Sequence, residues 1–438
     1  MRKPVPLTII LLWSVAASAA INPDAFQSLT KQGRAALEAG RTAEAERLFQ
    51  QACPAEAIPA YLPAEAGQCY HHLAFAAMWT DRASVSAELF LKAAAAWQAA
   101  GPEYAQAYGI TVLTLADLYR NQRDPAEAER VVRQYLAYLG ANPQTEGMHP
   151  EALSRLALIY GDTGKPEKAR ETATEAIAEF GKLVPARPAE AAYAHNTLGL
   201  VDLSMGLQEE AVSHLRTAAE LGTAGVGENS PEVAGYRTNL ALALLARGEV
   251  SAAEQLLHRA LYVAGHQPGG RYSQLGPIHA QLSAVAIQQN KLGIAAEEGK
   301  KALEILSGEP WPDEKMIASA QVNLGEVYVR TKKLKEADEL LSGAIRTERR
   351  VAPESRLLAD GLRRLAALRG AQSRWRESQD LLKEAIRIYE VRVGDASPIL
   401  APVLQDYAEA LKHEGGSKAE IRKAETRAKA MLGFAPVR

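Results

Sequence analysis

The sequence predicts an all-α fold in which about ten helical hairpins follow one another along 438 residues. The main observation is a column of small residues that recurs with a period of about 42 residues. A second observation is that further small residues follow each member of this column at fixed distances. The composition agrees, because Ala is the strongest helix former and is abundant, while aromatic residues are only 6% of the chain.

Three columns of small residues define the repeat. Each hairpin is expected to consist of a helix A and a helix B, and small side chains let two helices cross closely. Helix A carries the first column, at Gly33, Ala74, Ala116, Ala157, Gly199, Ala241, Ser283, Gly325, Ala366 and Ala408. Helix B carries the second column twelve residues later, at Ala45, Ser86, Ala128, Ala169, Ala211, Ala253, Ala295, Ala337 and Ser378. The third column follows after seven more residues, at Ala52, Ala93, Ala176, Ala218, Ala260, Ala302, Ala344 and Ala385, with Tyr135 as the exception.

These columns resemble those of the tetratricopeptide repeat, and their long period resembles that of its kinesin light chain variety. Residues 227–232 also carry the Gly-x-x-x-Pro-acidic sequence that this variety tends to have before helix A. The resemblance implies a right-handed superhelical α-solenoid over residues 21–438, with helix A lining a concave groove. The repeats are expected near residues 25–57, 66–99, 108–140, 149–181, 191–223, 233–265, 275–307, 317–349, 358–391 and 400–432.

The first twenty residues have the pattern of a secretory signal peptide. Arg2 and Lys3 precede an apolar run at residues 7–17, and small residues follow it. The run is shorter than the roughly 20 residues that cross a bilayer, so cleavage near Ala19 or Ala20 is favoured over a retained membrane anchor. We therefore expect an exported protein, periplasmic or secreted, that is not inserted in the membrane after cleavage.

The two cysteines, Cys53 and Cys69, are compatible with either a disulfide or two free thiols. An oxidising compartment favours pairing, and closing a loop of this size would contribute roughly 3 kcal/mol. Their spacing excludes a Cys-x-x-Cys redox motif. The adjacent His71 and His72 point about 100° apart on a helix, so we expect a groove-lining or surface pair rather than a metal site.

Catalytic and cofactor motifs are absent from the sequence. We find no His-Glu-x-x-His, no Gly-x-Ser-x-Gly and no phosphate-binding Gly-rich loop after a predicted strand. The sequence therefore predicts no enzyme activity, no cofactor and no metal. Nucleic-acid binding is also disfavoured, because the formal net charge is only −2.

The resemblance implies a partner protein or extended peptide in the groove. The expected lining residues are Asn196, Leu200, Leu203, Asn239, Leu242, Leu245, Gln281, Asn323, Arg330, Arg363 and Arg364. The Asn amides would bond a peptide backbone, because an amide both donates and accepts. The Leu residues have an alternative interpretation as core within each repeat. The Arg residues are either a basic end of the groove or a solvated basic face.

Three hypotheses of function follow from this pattern. The first is an exported scaffold that binds a partner polypeptide in the groove. The second is a structural subunit of an envelope assembly that packs through its end hairpins or its convex face. The third, and the most remote, is an enzyme with an unrecognised site. The oligomeric state is left open.

Overall fold

The computed structural model describes residues 23–80, 82–122, 124–266, 274–308, 312–395 and 397–433. The predicted signal segment lies outside these residues. Within the described ranges all regular structure is helical, and no strand occurs. None of the described helices is both long enough and apolar enough to span a bilayer. The prediction of an all-α fold is confirmed.

The described residues form twenty α-helices that alternate between the two predicted types. The A helices are α1 (Pro23–Glu38), α3 (Pro63–Trp79), α5 (Ala105–Asn121), α7 (His149–Asp162), α9 (Pro188–Ser204), α11 (Pro231–Ala246), α13 (Leu275–Gln288), α15 (Glu314–Arg330), α17 (Arg356–Ala371) and α19 (Leu400–His413). The B helices are α2 (Thr42–Ala52), α4 (Ala83–Ala100), α6 (Pro125–Ala141), α8 (Pro166–Phe180), α10 (Gln208–Val226), α12 (Val250–Gly265), α14 (Leu292–Ser307), α16 (Leu334–Val351), α18 (Trp375–Val393) and α20 (Lys418–Gly433). The first column lies in the A helices and the other two lie in the B helices.

The turn between helix A and helix B uses one residue in the left-handed conformation. This residue follows the first column by seven positions in every hairpin whose turn is described at that position. Five of these residues are glycines, such as Gly248 with φ 79°, because glycine adopts positive φ without steric cost. The seventh, eighth and ninth hairpins use Asn290, Lys332 and Ser373 instead, each with φ near 60°.

The described chain divides into two compact units. The first contains the described residues up to Val201, together with residues 213–236 and 263–266. In it, helices α1 to α8 form four A–B pairs, and α2, α4 and α6 also pack against the A helix that follows each of them. Phe49, Phe90 and Tyr135 are fully buried between these helices.

The second unit contains residues 202–212, residues 237–262 and the described residues from 274 onward. Helices α13 to α20 form four further A–B pairs with the same arrangement. One continuous apolar cluster extends through them and includes Leu324, Leu341, Leu362 and Leu382. Large apolar side chains of both the A and the B helices thus fill the space beside the small columns.

The small columns meet where helices A and B cross. A Cβ atom added to Gly325 would lie only 2.7 Å from Cγ of the buried Leu341, so the crossing has no room for a side chain there. Two of the column serines bond to the opposite helix through their hydroxyls. Ser283 donates to the carbonyl of Ala295 at 2.8 Å, and Ser86 donates to the carbonyl of Ala74 at 2.9 Å.

Tyr135, the exception in the third column, is accommodated by a glycine on the neighbouring A helix. A Cβ atom added to Gly109 would lie 2.2 Å from the Tyr135 hydroxyl oxygen. The same hydroxyl donates a hydrogen bond to the carbonyl of Ala105 at 3.1 Å. The large Tyr135 side chain therefore occupies the space beside Gly109 on helix A.

Cys53 and Cys69 form a disulfide between the end of α2 and helix α3. Both side chains are buried beside Phe26 and Ile58, and their Cα atoms are 5.5 Å apart. Of the two alternatives left open by the sequence, the structure contains the bonded one. The bond ties the first hairpin to the second, and it limits the freedom of the unfolded chain.

The expectation of a surface or groove-lining pair at His71 and His72 is wrong. These side chains are 8% and 4% exposed. The His72 ring stacks on Phe49 with a centroid distance of 5.0 Å, and Nδ1 of His71 lies 2.9 Å from the Thr111 hydroxyl. Adjacent helical residues point in different directions, but both of these side chains are covered. The preceding hairpin covers His72, and the following hairpin covers His71.

Candidate binding surface on the A helices

The A helices form a layer of their own within each unit. In the first unit α5 contacts α7, and in the second unit α13, α15 and α17 each contact the next A helix. Within helices α1–α8 and α13–α20, no contact of similar extent joins one B helix to the next. From α5 to α7, and from α13 to α19, successive A helices therefore lie closer together than successive B helices. We refer to the A helices as the A layer.

The predicted groove residues of the second unit differ in how much side chain they present. Leu203 and Leu245 are 9% and 5% exposed, which favours their interpretation as core. Four others are half-buried and lie on the consecutive A helices α11, α13 and α15: Asn239, Leu242, Gln281 and Asn323. In the first unit, Asn196 is only 7% exposed and Leu200 is half-buried.

Arg330 connects its own hairpin to the preceding one. Its guanidinium donates to the side-chain oxygen of Asn290 at 2.6 Å and to the carbonyl of Ile287 at 3.3 Å. Those two acceptors lie at the carboxyl end of α13, one period earlier in the chain. Arg330 thus caps the neighbouring A helix at the end where cations are favoured.

Arg363 and Arg364 bridge α17 to the A helices on either side of it. Arg364 donates to Glu326 on α15 at 2.7 Å, and Arg363 donates to Asp406 on α19 at 2.5 Å. Burial alone would lower the pKa of Arg364, but the carboxylates of Glu326 and Asp360 raise it. Both arginines are therefore paired, and the predicted basic end carries less unbalanced charge than its sequence suggests.

A polar network of the same kind, which the sequence analysis missed, joins three A helices of the first unit. Arg155 on α7 donates to Asp117 on α5 at 3.0 Å and to the Tyr193 hydroxyl on α9 at 2.6 Å. Arg120 on α5 donates to Asp162 on α7 at 2.8 Å. Burial alone would lower the pKa of Arg120, but Asp162 and Asp117 hold it above its usual value. Opposite charges about one period apart along the chain are the signal that would have revealed this network.

Histidines of the A helices pair with helix B residues within their own hairpins. His195 Nδ1 lies 3.1 Å from Nδ1 of His214, and His279 Nδ1 lies 2.5 Å from a carboxylate oxygen of Glu298. The two pairs have the same separation along the chain, so the repeat geometry accounts for both. Burial, followed by the neighbouring His214, lowers the pKa of His195 to about 4.

The side chains gathered in this layer can form hydrogen bonds, ion pairs and apolar contacts. They offer amides, guanidiniums paired with carboxylates, and leucines. The part of the chain that the structure describes holds no group of three or more His, Cys, Asp or Glu residues arranged for a metal ion.

Comparisons with known proteins agree on the repeat. Family models described as tetratricopeptide repeat match residues 27–51, 113–188, 233–264 and 316–391. The search of curated proteins finds no significant match.

Two solved structures are similar to parts of the chain. BtubC (BKLC) from P. vanneervenii is 21% identical, with a TM-score of 0.42, and the match covers 52% of this chain and 91% of that one. A Podosopora anserina kinesin light chain protein with nearly identical TPR-like repeats is 19% identical, with a TM-score of 0.36. That match covers 47% of this chain and 98% of the other.

Proposed function

Because this chain is a tetratricopeptide repeat protein, we propose that it is an interaction scaffold that binds a partner polypeptide on the A layer. The binding segment of the partner is an extended peptide that crosses α13, α15 and the part of α11 from Arg237 onward, all in the second unit. Its backbone bonds to side-chain amides, and its apolar side chains contact leucine.

The observation that carries this proposal is the row of half-buried side chains on consecutive A helices. Asn239, Gln281 and Asn323 each present an amide, which can donate to a peptide carbonyl and accept from a peptide N–H. Leu242 adds an apolar contact in the same row. Neighbouring repeats of a solenoid are related by a small and regular rotation. A row of side chains on successive A helices therefore suits an extended peptide, whose residues are also regularly spaced.

The polar bonds between A helices support the proposal, because they hold the row in place before a partner arrives. Gln288 on α13 donates to the carbonyl of Leu245 on α11 at 3.3 Å, and Arg330 on α15 donates to the carbonyl of Ile287 on α13. A surface ordered in advance loses less conformational entropy on binding, and more of the contact energy remains as affinity.

Partner capture by the purified mature chain tests the proposal. We expect the triple variant Asn239→Ala, Gln281→Ala, Asn323→Ala to bind its partner at least about tenfold more weakly, since each lost hydrogen bond costs about 0.5–1.5 kcal/mol. The control is Gln255→Ala, which removes an exposed amide from helix α12. Thermal melting shows whether each variant is folded.

Undiminished capture by the folded triple variant contradicts binding on the A layer. If self-association or co-purification with an envelope complex persisted in that variant, the second hypothesis, an assembly subunit that uses its end hairpins or convex face, would replace the first.

The proposal includes export of the chain and removal of the segment that ends at Ala19 or Ala20. The Cys53–Cys69 disulfide supports this, because structural disulfides persist mainly in oxidising compartments. The intact mass of the protein from an envelope fraction should correspond to a chain that starts at Ala20 or Ile21. A full-length mass, or recovery from the cytosolic fraction alone, contradicts export.

A further inference from the structure

The side of helix A that faces helix B changes character along the chain. The residue four positions before the first column is apolar in six hairpins, at Leu29, Tyr70, Val112, Leu153, Leu362 and Leu404. In the fifth to eighth hairpins it is polar, at His195, Arg237, His279 and Gln321. His195 and His279 have the helix B partners described above. The Gln321 amide makes no hydrogen bond to any described residue.

Beside Gln321 lies an open cavity of about 350 Å³ between α15 and α16. Its walls include Ile317 and Gln321 from helix A, together with Gly343, Arg346 and Thr347 from helix B. Helix B has no side chain at Gly343, and this leaves the space of the cavity open beside the polar Gln321 side chain.

Three polar groups with unused hydrogen-bonding capacity meet at this cavity. A Cβ atom added to Gly343 would lie 3.8 Å from the Gln321 amide oxygen and 3.9 Å from Nη2 of Arg346. The amide and the guanidinium therefore approach the same point. Thr347 adds a hydroxyl, and over the described ranges neither it nor Arg346 has a hydrogen-bond partner.

The net charge of the residues that line the cavity indicates which kind of ligand it would bind. Arg346 and Arg350 contribute two positive charges, and Glu314, which pairs with Arg350, contributes one negative charge. The balance is one positive charge, which matches a single carboxylate better than a phosphate dianion. Arginine is also the side chain best shaped to bind a carboxylate through two parallel hydrogen bonds. Ile317 provides an apolar wall for a short aliphatic stem.

We propose that this cavity is a binding site for a carboxylate group on a short aliphatic stem. The Arg346 guanidinium holds the carboxylate, while Gln321 and Thr347 donate hydrogen bonds to it. Two sources share this chemistry: a free aliphatic acid and the side chain of a glutamate in a polypeptide. The site uses none of the side chains proposed to bind a partner on the A layer, so either proposal can fail alone.

Titration calorimetry of the purified chain at low ionic strength tests the site. One arm uses pentanoate as the free acid, and the other uses an N-acetylated, C-amidated Ala-Glu-Ala peptide. Pentanamide is the neutral comparison. We expect saturable binding in at least one carboxylate arm and none with pentanamide. The arm that binds more tightly identifies the source.

Two substitutions separate the cavity from general charge effects. Arg346→Gln should weaken binding by about tenfold or more, because hydrogen bonds to charged groups are the strongest. Gly343→Leu should abolish binding, since its side chain would fill the cavity. The control Arg376→Gln removes the same charge from an exposed position on α18 and should change nothing.

Folding of the cavity-filling variant can be checked independently. A Cβ atom at position 343 approaches only the ends of two flexible side chains, and leucine is a better helix former than glycine. The melting temperature of Gly343→Leu should therefore equal or exceed that of the unmodified chain. Equal affinity in Gly343→Leu or Arg346→Gln, equal binding of pentanamide, or no binding in either carboxylate arm overturns the proposal.

Discussion

Replacement of Tyr135 by Ala is expected to destabilise the third hairpin by about 3–5 kcal/mol, as removal of a buried aromatic side chain typically does. Tyr135 is fully buried, fills the space left by Gly109 and bonds the Ala105 carbonyl through its hydroxyl. In a repeat array the effect of one substitution is concentrated on its own unit and its neighbours. Hydrogen exchange of the amides in α5 and α6, measured without denaturant, gives the local free energy of opening.

The partner substitution Gly109→Ala should cost about 1–3 kcal/mol alone, because the added methyl group would overlap the Tyr135 ring. In the Tyr135→Ala background the same substitution should instead stabilise, since the overlap is gone and Ala is the better helix former. Gly140→Ala is the control, because a Cβ atom there meets nothing and should stabilise α6 slightly. Effects of Gly109→Ala that are equal in both backgrounds would contradict the matched pair.

The first unit is expected to lose stability as the pH falls from about 6.5 to 4. Burial lowers the pKa of His71 to about 4, and burial, with smaller contributions from His71 and Arg34, lowers the pKa of His72 well below its usual value. In this window the unfolded chain binds protons that the folded chain does not, so each pH unit costs about 1.4 kcal/mol per histidine. His71 alone should account for about 3 kcal/mol at pH 4, and His72 adds to it.

Denaturant unfolding at a series of pH values measures this loss. Replacing both histidines by Phe should reduce the dependence between pH 6.5 and 4, because Phe fills the same apolar surroundings without titrating. The part due to His195, whose pKa burial also lowers to about 4, should remain. His258→Gln, which changes an exposed histidine on α12, should leave the dependence intact. An unaltered slope in the double Phe variant would show that other groups are responsible.

The hairpin architecture could be predicted because a crossing of two helices demands small residues at fixed places. That demand is strict at Gly325, where a single added atom would touch Leu341. The resemblance to tetratricopeptide repeats rests on the same residues and is confirmed. The close contact between Tyr135 and Gly109 was not predicted, because recognising it requires knowing which A and B residues face each other.

The binding surface was harder to predict, because a leucine suits both an apolar groove and the core of a hairpin. Leu203 and Leu245 occupy the same predicted lining position in successive hairpins, yet both are buried. The arginines at positions 330, 363 and 364 look like free positive charge until the neighbouring A helices supply acceptors about one period away. His71 and His72 are buried by the first and third hairpins, so their burial could not be predicted from the second hairpin alone.

Hydrogen exchange of the chain with and without its captured partner is the most direct measurement of where binding occurs. We predict that the partner slows exchange in α11, α13 and α15, and that the B helices α12, α14 and α16 change little. Protection confined to the B helices, or to the end helices α1 and α20, would contradict binding on the A layer.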